Sequence, residues 1–526
     1  MAPTKTRRRK KPATLKSMNP QTGALLGEVA ASTPQEVHDG VIAGRKVQAE
    51  WAAIGPQGRA RHLGEVRHAI YRHLDDIVET IAQECGKPRA EALAHDIMPT
   101  VLGLQYMAHT APKWLRSDRP GGVVGPILGL TSRVDYRPFG VVGCIAPWNY
   151  PFLLSFMGVI PALLAGNTVV LKPSEVTPGV GERIREILEP LPSGVATVVQ
   201  GAGDIGAALV DARCDKLCFI GSPATGRKIA AAAAKHLTPV VMELGGQDAA
   251  IVCEDADLDL ASSGVLWGAF LNAGQACTAV ERAYVADSVA DRFVDALVQK
   301  LSRLRQDGGG DIGSMTTPDQ LDVFERHLTD AVDKGARVVA GGREAGKRND
   351  DGTLWAYPTI LEGRSEDMAV FAEETFGPLL PIVRVRDDDE AIRRANHEGF
   401  NLTASVWSGD RSRARRIASY LRSGTVTINC HAEAAGTPWA AWGGVGESGY
   451  GRLNGVYGMR EFTVPTHVGT HGPIEHKRLF WYPYGEATTD SLRAVTELFS
   501  APSAGTKLRA ARRLAGSIGK AMKEKL

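Results

Sequence analysis

Short apolar segments alternate with longer segments of helical periodicity in the first half of the chain. The apolar segments lie at residues 141–146, 168–171, 197–199 and 216–220, and helices are expected over residues 152–164, over 180–188 and from residue 205. Strands that alternate with helices of this length are joined by crossover connections and therefore run parallel. The pattern predicts a doubly wound α/β sheet of the dinucleotide-binding type.

A second run of apolar segments follows farther along the chain, at residues 249–252, 282–285, 381–385 and 404–407. Its spacing predicts another α/β unit, and the sequence shows no internal repeat. Residues 33–114 have the three- and four-residue periodicity of packing helices. A chain of 526 residues exceeds what one hydrophobic core usually holds, so two or three packed units are expected.

The stretch between Arg137 and Lys172 has no charged side chain and is long enough to cross a bilayer. Prolines and glycines interrupt it, so we interpret it as a buried strand, turn, helix and strand. The basic N-terminus lacks the apolar segment of a secretory signal. Seven cysteines with no CxxC pair are typical of a reducing compartment and argue against a disulfide framework or a zinc site. We therefore expect a cytoplasmic protein without a metal site.

Cys277 is the candidate nucleophile, because small, turn-forming residues surround it and leave it accessible to a substrate. A thiol has an ordinary pKa of about 8.5, so a neighbouring base or an electropositive pocket suffices to activate it. Considered alone, a cysteine beside glycine and alanine is more often a small buried apolar residue.

Polar residues follow two of the predicted strands, at the edge where open α/β sheets present functional groups. Asn149 lies between a strand and a helix, where its amide can donate to a developing oxyanion, although a turn asparagine can also satisfy its own backbone. Lys172 and Glu175 close the next strand, where they can bind ribose hydroxyls. The alternative is a charged loop that opens a helix.

Two glycine-containing segments are candidates for phosphate binding. Residues 201–206 match GxGxxG, but the first strand of such a unit should carry that motif, and no acidic residue follows at the expected distance. We favour the later segment with Gly221, Ser222 and Gly226, since it precedes a helix whose N–H groups can bind a phosphate.

Carboxylates occupy two further turn-prone positions. Glu243 ends an apolar strand just before Gly245 and Gly246, a suitable place for a general base that can reach a cleft. The alternative is a surface glutamate at a strand end. Glu374 and Phe376 precede a tight turn and can present a carboxylate and an aromatic ring to a flat cofactor.

Together these motifs resemble those of the aldehyde dehydrogenase superfamily, in family order, from about residue 19 to 462. The resemblance implies an NAD(P)-dependent enzyme in which Cys277 attacks an aldehyde and forms a thiohemiacetal, then a thioester. Asn149 would stabilise the oxyanion and Glu243 would activate the hydrolytic water. Relatives that transfer the acyl group to coenzyme A usually lack such a carboxylate, so a carboxylic acid is the expected product. A catalytically inactive protein on the same fold is the remote alternative.

The resemblance also assigns residues to the cofactor. Lys172 and Glu175 would contact the adenosine ribose, Glu374 would bind the nicotinamide ribose, and the remaining contacts would come from Trp148, Gly221, Ser222, Gly226 and Phe376. A carboxylate at position 175 repels the extra phosphate of NADP, so NAD is the expected cofactor, although NADP is also compatible with the motif.

The substrate-lining residues suggested by the resemblance are Tyr150, Leu154, Met157 and Trp442. They are mostly apolar, which favours an aliphatic or aromatic aldehyde. A dehydrogenase for a semialdehyde that bears a carboxylate is the alternative, but no arginine is evident near this site.

The family likeness predicts two Rossmann-like domains and a small β oligomerisation element, hence a homodimer or homotetramer. Residues 17–120 and 139–244 would form the dinucleotide-binding domain, 245–457 the catalytic domain, and 121–138 with 458–470 the oligomerisation element. Residues 1–16 are expected to be a disordered basic tail, and no nucleic-acid partner is expected.

Residues 471–526 extend beyond the usual end of the family and contain a basic amphipathic helix. Leu508, Ala511, Ala515, Ile518 and Met522 share one predicted face. We expect that face to pack on the protein itself or on a neighbouring subunit. Peripheral membrane contact is the less favoured interpretation.

Overall fold

The computed structural model describes residues 13–120, 130–307, 309–342, 352–363, 367–396, 399–471 and 477–525. The chain divides into two compact units. The larger comprises Met1–Arg116 and Tyr136–Pro465, and the smaller comprises Ser117–Asp135 and Thr466–Leu526. Most of the predicted basic tail lies outside the described residues.

The first large sheet of the larger unit has the order expected of a dinucleotide-binding sheet. Its parallel strands are β4 (Val141–Ile145), β5 (Thr168–Lys172), β6 (Ala196–Val198), β7 (Lys216–Ile220) and β8 (Val240–Glu243), arranged β6-β5-β4-β7-β8. A short antiparallel strand, β18 (Gly449–Tyr450), adds to β8. The strand order reverses between β4 and β7, which is where such sheets bind ligands.

Helices surround this sheet. They are α1 (Pro34–Ala53), α2 (Gly55–Arg72), α3 (Leu74–Cys85), α4 (Arg89–Glu91), α5 (Met98–Trp114), α6 (Pro151–Ala165), α7 (Pro178–Leu188), α8 (Gly203–Asp211) and α9 (Pro223–Ala234). A π-helical turn, Ala92–Ile97, connects α4 to α5. Thr33 and Glu36 form a reciprocal capping box at the start of α1, which satisfies backbone N–H groups that the helix leaves unpaired.

The uncharged stretch forms β4, α6 and β5, as expected. Every residue of α6 is buried, because β-strands and helices cover it on all sides. Such a helix needs no polar face. Within the described part of the chain, no helix is both long and apolar enough to span a bilayer.

One boundary of the predicted tail is wrong. Residues 14–16 belong to strand β1 (Thr14–Met18), which pairs antiparallel with β2 (Leu25–Ala30). The ladder hydrogen bonds with β2 order these residues despite their polar composition.

The second large sheet has the order β11-β12-β13-β10-β9-β15-β16. Its strands are β9 (Asp248–Val252), β10 (Val280–Ala286), β11 (Arg337–Ala340), β12 (Thr359–Glu362), β13 (Leu379–Val385), β15 (Thr403–Trp407) and β16 (Thr425–Ile428). The strands are parallel except for β11, which pairs antiparallel with β12. Two short strands, β14 (Phe400–Asn401) and β17 (Val445–Gly446), form a separate antiparallel pair.

The helices of this second half are α10 (Leu258–Phe270), α11 (Asp287–Leu301), α12 (Pro318–Asp333), α13 (Ala369–Ala372), α14 (Asp388–Ala395), α15 (Arg411–Tyr420) and α16 (Gly455–Glu461). A 3₁₀ turn, Leu271–Gly274, follows α10. The structure therefore contains the two doubly wound α/β layers that the alternation of segments predicts.

The smaller unit contains most of a two-stranded sheet and a helical hairpin. The sheet pairs β3 (Leu130–Pro138) with β19 (Thr463–His471), which are parts of the two segments assigned to an oligomerisation element. Residues 121–129 of that element lie outside the described residues. The hairpin consists of α17 (Glu486–Ser500) and α18 (Ala504–Lys523).

The predicted apolar face of α18 does not form the contact of this helix with α17, and its packing on a neighbouring subunit stays a prediction. Ala510 and Ala521 are buried against α17, and the hydroxyl of Ser491 donates to that of Ser517 across the two helices. Leu508 and Ile518 remain exposed. Small side chains let the two helices approach closely, so the packing seam forms about a quarter to nearly half a turn away from the larger apolar residues.

Candidate active site

Cys277 lies in a tightly constrained loop between α10 and β10. Asn272, Ala273 and Gly274 all have positive φ angles, of 51°, 54° and 73°. A Cβ on Gly274 would collide with the carbonyl oxygen of Gly377, so only glycine fits there. The Gln275 side chain fixes the loop further: its amide donates to the Asn272 carbonyl (2.9 Å), and its oxygen accepts from the Thr316 N–H (2.8 Å).

The loop brings Cys277 beside Glu243, the last residue of β8. A Cβ on Gly246 would collide with the Cys277 carbonyl oxygen, so the glycine permits this close approach. Burial raises the pKa of Glu243 to about 8, an effect partly offset by the Cys277 thiol and the Trp442 indole, which favour the ionised carboxylate. Burial, and then the charges of Glu243 and Asp248, raise the pKa of the Cys277 thiol well above its ordinary value.

Asn149 also faces this group of side chains, from the turn between β4 and α6. Its amide nitrogen donates to the Gln275 carbonyl at 3.1 Å, and its own carbonyl accepts from Asn272 Nδ2 at 3.0 Å. An asparagine amide carries two hydrogens, and Gln275 accepts one of them. Asn149 and Cys277 line the same cavity.

A buried ion pair that the sequence did not reveal supports the Asn149 turn. Lys87 Nζ lies 3.0 Å from Asp96 Oδ2, and both side chains are fully buried. Lys87 also donates to the Asn149 carbonyl at 2.6 Å, and Asp96 Oδ1 accepts from the N–H groups of Phe152 and Leu153 at 3.1 and 3.3 Å. The pair thus holds both the turn and the first turn of α6.

A cavity of about 260 Å³ extends from Cys277 toward the edge of the first sheet. Its lining includes the candidate residues Trp148, Gly221, Ser222, Glu374 and Phe376. The rings of Trp148 and Phe376 meet edge to face, with centroids 5.6 Å apart. Burial, followed by the neighbouring carboxylate of Glu281, raises the pKa of Glu374 well above its ordinary value.

Glu281 is a second residue that the sequence did not reveal. Its two carboxylate oxygens accept from the backbone N–H groups of Thr375 (2.9 Å) and Phe376 (2.8 Å). Phe376 has a φ of 48°, which is unfavourable for a bulky residue. Glu281 therefore holds the strained turn that carries Glu374 and Phe376. It is the second residue of β10, and an acidic residue near the start of a strand gives no sequence signal of such a role.

The remaining cofactor candidates lie at neighbouring strand ends. Lys172 Nζ pairs with Glu175 Oε2 at 2.8 Å. The Ser222 hydroxyl caps α9 by accepting from the Thr225 N–H, and Gly226 packs in the first turn of that helix against Leu244. The GxGxxG segment instead follows β6, the edge strand, two strands away from β4. Ser222 at the start of α9, the Glu374 carboxylate and the facing rings of Trp148 and Phe376 line one cleft, whereas Lys172, Glu175 and Gly226 are not among the residues that line it. A helix N-terminus, a carboxylate and aromatic rings are groups that suit a nicotinamide dinucleotide.

A second cavity of about 460 Å³ approaches Cys277 from another direction. All four predicted substrate-lining residues, Tyr150, Leu154, Met157 and Trp442, contribute to it. The sequence did not reveal Met98, Leu102 and Trp267, which lie on distant helices and enlarge the apolar lining. Among the described residues that line this cavity there is no arginine or lysine, and Glu433 and His95 are its charged or titratable side chains besides Cys277 and Tyr150.

The chain is similar to several known proteins. Residues 7–468 match the model of the aldehyde dehydrogenase family. The chain is 37% identical over 484 residues to 4,4'-diapolycopene aldehyde oxidase of Methylomonas sp., covering 91% of this chain and 90% of that protein. It is 36% identical over 457 residues to a Mycobacterium ulcerans protein provisionally named succinate-semialdehyde dehydrogenase [NADP(+)] 2, covering 85% and 87%.

Among solved structures, the aldehyde dehydrogenase of Mycobacterium tuberculosis complexed with NAD+ superposes with a TM-score of 0.82 at 30% identity, covering 89% of this chain and 97% of that chain. The residues that the family model matches include the two large sheets and the residues that line both cavities. The protein belongs to the aldehyde dehydrogenase family.

Proposed function

We propose that this aldehyde dehydrogenase oxidises a neutral, apolar aldehyde to its carboxylic acid, with Cys277 as the nucleophile. The observation that carries the proposal is that Cys277 lines both cavities, one with the features of a cofactor cleft and one with an apolar lining. A substrate carbonyl and a hydride acceptor can therefore meet at one sulfur atom.

Attack on the aldehyde requires loss of the thiol proton. Because burial keeps the pKa of Cys277 high, the thiol is protonated at neutral pH and needs a proton acceptor, for which the adjacent Glu243 carboxylate is suited. The new carbon–sulfur bond leaves an oxyanion on the former carbonyl oxygen. The second amide hydrogen of Asn149 and the Cys277 backbone N–H are its proposed donors.

The cofactor is a nicotinamide dinucleotide, which supplies a hydride acceptor when bound in the cleft. Loss of hydride from the tetrahedral adduct leaves a thioester on Cys277. Glu243 releases the thiol proton to solvent and then takes a proton from water, whose oxygen attacks the thioester carbon. The carbon–sulfur bond breaks, the leaving thiolate recovers a proton from Glu243, and the carboxylic acid is released. One aldehyde and one water thus yield one acid and one proton, with a hydride transferred to the cofactor.

An apolar substrate is supported by the lining of the second cavity. Burying a carboxylate there would cost several kcal/mol without a cationic partner, and Glu433 would repel it. The Methylomonas relative is named for an aldehyde of an apolar polyene, which is consistent with this preference. The second candidate is succinate semialdehyde, favoured by the name of the Mycobacterium ulcerans relative.

The test is a comparison of kcat/KM for octanal, benzaldehyde and succinate semialdehyde, followed as NADH formation. We expect both neutral aldehydes to be oxidised at least about tenfold more efficiently than the semialdehyde. A preference for succinate semialdehyde would contradict the assignment. The Cys277→Ala variant serves as the control and is expected to form no NADH from any of the three.

We further propose NAD as the preferred cofactor, because the carboxylate of Glu175 would repel the extra phosphate of NADP at the proposed adenosine-ribose site. We also propose that the enzyme is cytoplasmic and forms a homodimer or homotetramer through the β3 and β19 segments. Light scattering in solution tests the assembly, and a monomer would exclude it.

A further inference from the structure

The hairpin of the smaller unit exposes an unusual amount of apolar and aromatic surface. We use the name hairpin face for Leu492, Phe499, Leu508, Ala511, Ala515, Ile518 and Met522. Phe499 and Leu508 are 52% and 55% exposed, and Ile518 is 38% exposed. Isolated exposed apolar residues are common, but a contiguous set on one side of an element marks a binding surface.

Helix geometry places these residues on one side. In α18 these residues lie about a quarter to nearly half a turn beyond the seam of Ala510, Ser517 and Ala521, at 3.6 residues per turn. Leu492 and Phe499 have the same offset from the seam residues Ser491 and Ala494 of α17. The helices are antiparallel, since Ser491 bonds Ser517 and Arg513 pairs with Glu497. When two antiparallel helices pack along their seams, residues with the same angular offset from the seam lie on the same side of the hairpin.

An aromatic segment adjoins the open end of the hairpin. Phe480, Trp481, Tyr482 and Tyr484 are 50% to 70% exposed. Lys525 fixes this segment to the hairpin, because its ammonium group donates to the Pro483 carbonyl (2.8 Å) and to the Thr488 hydroxyl (2.9 Å). The aromatic rings are therefore displayed from an ordered loop.

The charge of this region is strongly positive. Residues 477–526 contain ten Lys or Arg and four Asp or Glu, a net charge of +6, whereas the whole chain has a net charge of +2. The remainder of the chain is therefore at −4. Helix α18 has six basic residues and no acidic one, and all six are exposed: Lys507, Arg509, Arg512, Arg513, Lys520 and Lys523.

We propose that the hairpin face and the aromatic segment bind the surface of an anionic lipid bilayer. Interfacial helices combine an apolar face, which enters the headgroup region, with Lys and Arg beside it. Tyr and Trp favour the same interfacial depth. Each Lys or Arg near an anionic bilayer surface contributes favourable electrostatic energy. The remainder of the chain has a net negative charge and does not contribute such an attraction. A second copy of the chain fits less well, since lysine is depleted at protein interfaces.

Membrane binding has a consequence for catalysis that rests on the proposed function. A neutral, apolar aldehyde partitions into bilayers, so an enzyme on the bilayer surface has access to a concentrated substrate. Binding to lipid can be measured without any aldehyde or cofactor. Failure of the membrane proposal is therefore distinguishable from failure of the proposed substrate class.

The experiment is flotation of the full-length protein with phosphatidylcholine vesicles, with and without phosphatidylglycerol. We expect binding to the anionic vesicles at low salt, with a decrease in high salt. The variants Leu508→Glu with Ile518→Glu, and Arg512→Glu with Lys523→Glu, should each weaken binding at least about tenfold. These side chains are exposed, so the variants should fold, and circular dichroism checks this.

Matched controls change exposed residues of the larger unit in the same way. Tyr71→Glu with Leu260→Glu, and Arg61→Glu with Arg72→Glu, should leave vesicle binding unchanged. Absence of vesicle binding by the unaltered protein would overturn the proposal. An equal loss of vesicle binding in the hairpin variants and in the control variants would also overturn the proposal. If Leu508→Glu with Ile518→Glu reduces the oligomer size without lipid, the face is a subunit interface and the proposal fails.

Discussion

Glu243 combines two properties that the proposed general base needs. It lies beside Cys277, the proposed nucleophile, and its carboxyl group is buried with a pKa of about 8. A base acts in its ionised form, so protonation below this pKa removes the function. Cys277 and Trp442 hold the carboxylate near the sulfur while burial keeps it basic. The same burial that makes the group costly to ionise therefore makes it a stronger base.

This residue gives a pH prediction. We expect kcat to rise with pH, with a midpoint near 8, because the fraction of ionised Glu243 rises through that range. Glu243→Gln should lower kcat by about 10²- to 10⁴-fold and abolish the midpoint. Steady-state rates across pH measure both effects. Glu433→Gln, a change of another carboxylate near the substrate, should keep the midpoint, and a kcat independent of pH in the unaltered enzyme would contradict the role.

Glu175 gives a prediction about cofactor choice. Its carboxylate pairs with Lys172 and is expected to disfavour the phosphate of NADP through like-charge repulsion. Glu175→Gln should lower the ratio of kcat/KM with NAD to kcat/KM with NADP by about tenfold. Glu189→Gln, an exposed change farther along the chain, is the control. A preference of the unaltered enzyme for NADP would show that Glu175 does not select the cofactor.

At the scale of single elements, Glu281 acts on the turn before β13. Glu281→Gln replaces one acceptor oxygen with an amide group that cannot accept from the Thr375 or Phe376 N–H. An unsatisfied buried donor costs about 1–3 kcal/mol. We expect the KM for NAD to rise about tenfold or more, with a smaller change in the KM for the aldehyde. Fluorescence titration with NAD provides the direct measurement, and an unaltered affinity would contradict the positioning role.

The buried Lys87–Asp96 pair supports the turn that carries Asn149 at the same site. Lys87→Met leaves the Asp96 carboxylate buried without its cation, which should cost about 3–5 kcal/mol of unfolding free energy. Combining it with Asp96→Leu should recover part of this stability. It should not recover kcat, since Asn149 and the start of α6 have then lost their shared partners. Urea unfolding and kcat, measured on both variants, separate the two effects. Full recovery of kcat would show that the pair has only a structural role.

Local patterns in the sequence predicted most of the elements that carry the site. Strands β4, β5 and β7 and helix α6 lie where apolar runs and helical periodicity placed them. The residues that position the site could not be predicted in this way. Lys87 contacts Asn149 across 62 residues, and Glu281 contacts Phe376 across 95. Such contacts depend on which elements the fold brings together, which no local periodicity encodes. The contact of α18 with α17 could not be predicted for a related reason, because small residues rather than large ones form its seam.

At the scale of the whole molecule, the reactivity of the seven cysteines measures how far the fold limits access to Cys277, the proposed nucleophile. All are free, and five are buried, whereas Cys277 and Cys430 are partly exposed. Iodoacetamide reacts with accessible thiolates. We therefore expect native protein to be alkylated at Cys277 and Cys430 only, and more rapidly as pH rises, because burial raises the pKa of both thiols.

Peptide mass spectrometry identifies the modified positions, and denatured protein, in which all seven cysteines should react, is the control. Octanal should protect Cys277 and leave Cys430 reactive, since only the first lines the apolar cavity. Loss of activity should follow modification of Cys277 alone. Early alkylation of Cys144 or Cys218, which lie in adjacent strands of the first sheet, would mean that the sheet opens in solution and that access to the sulfur is not limited to the two cavities.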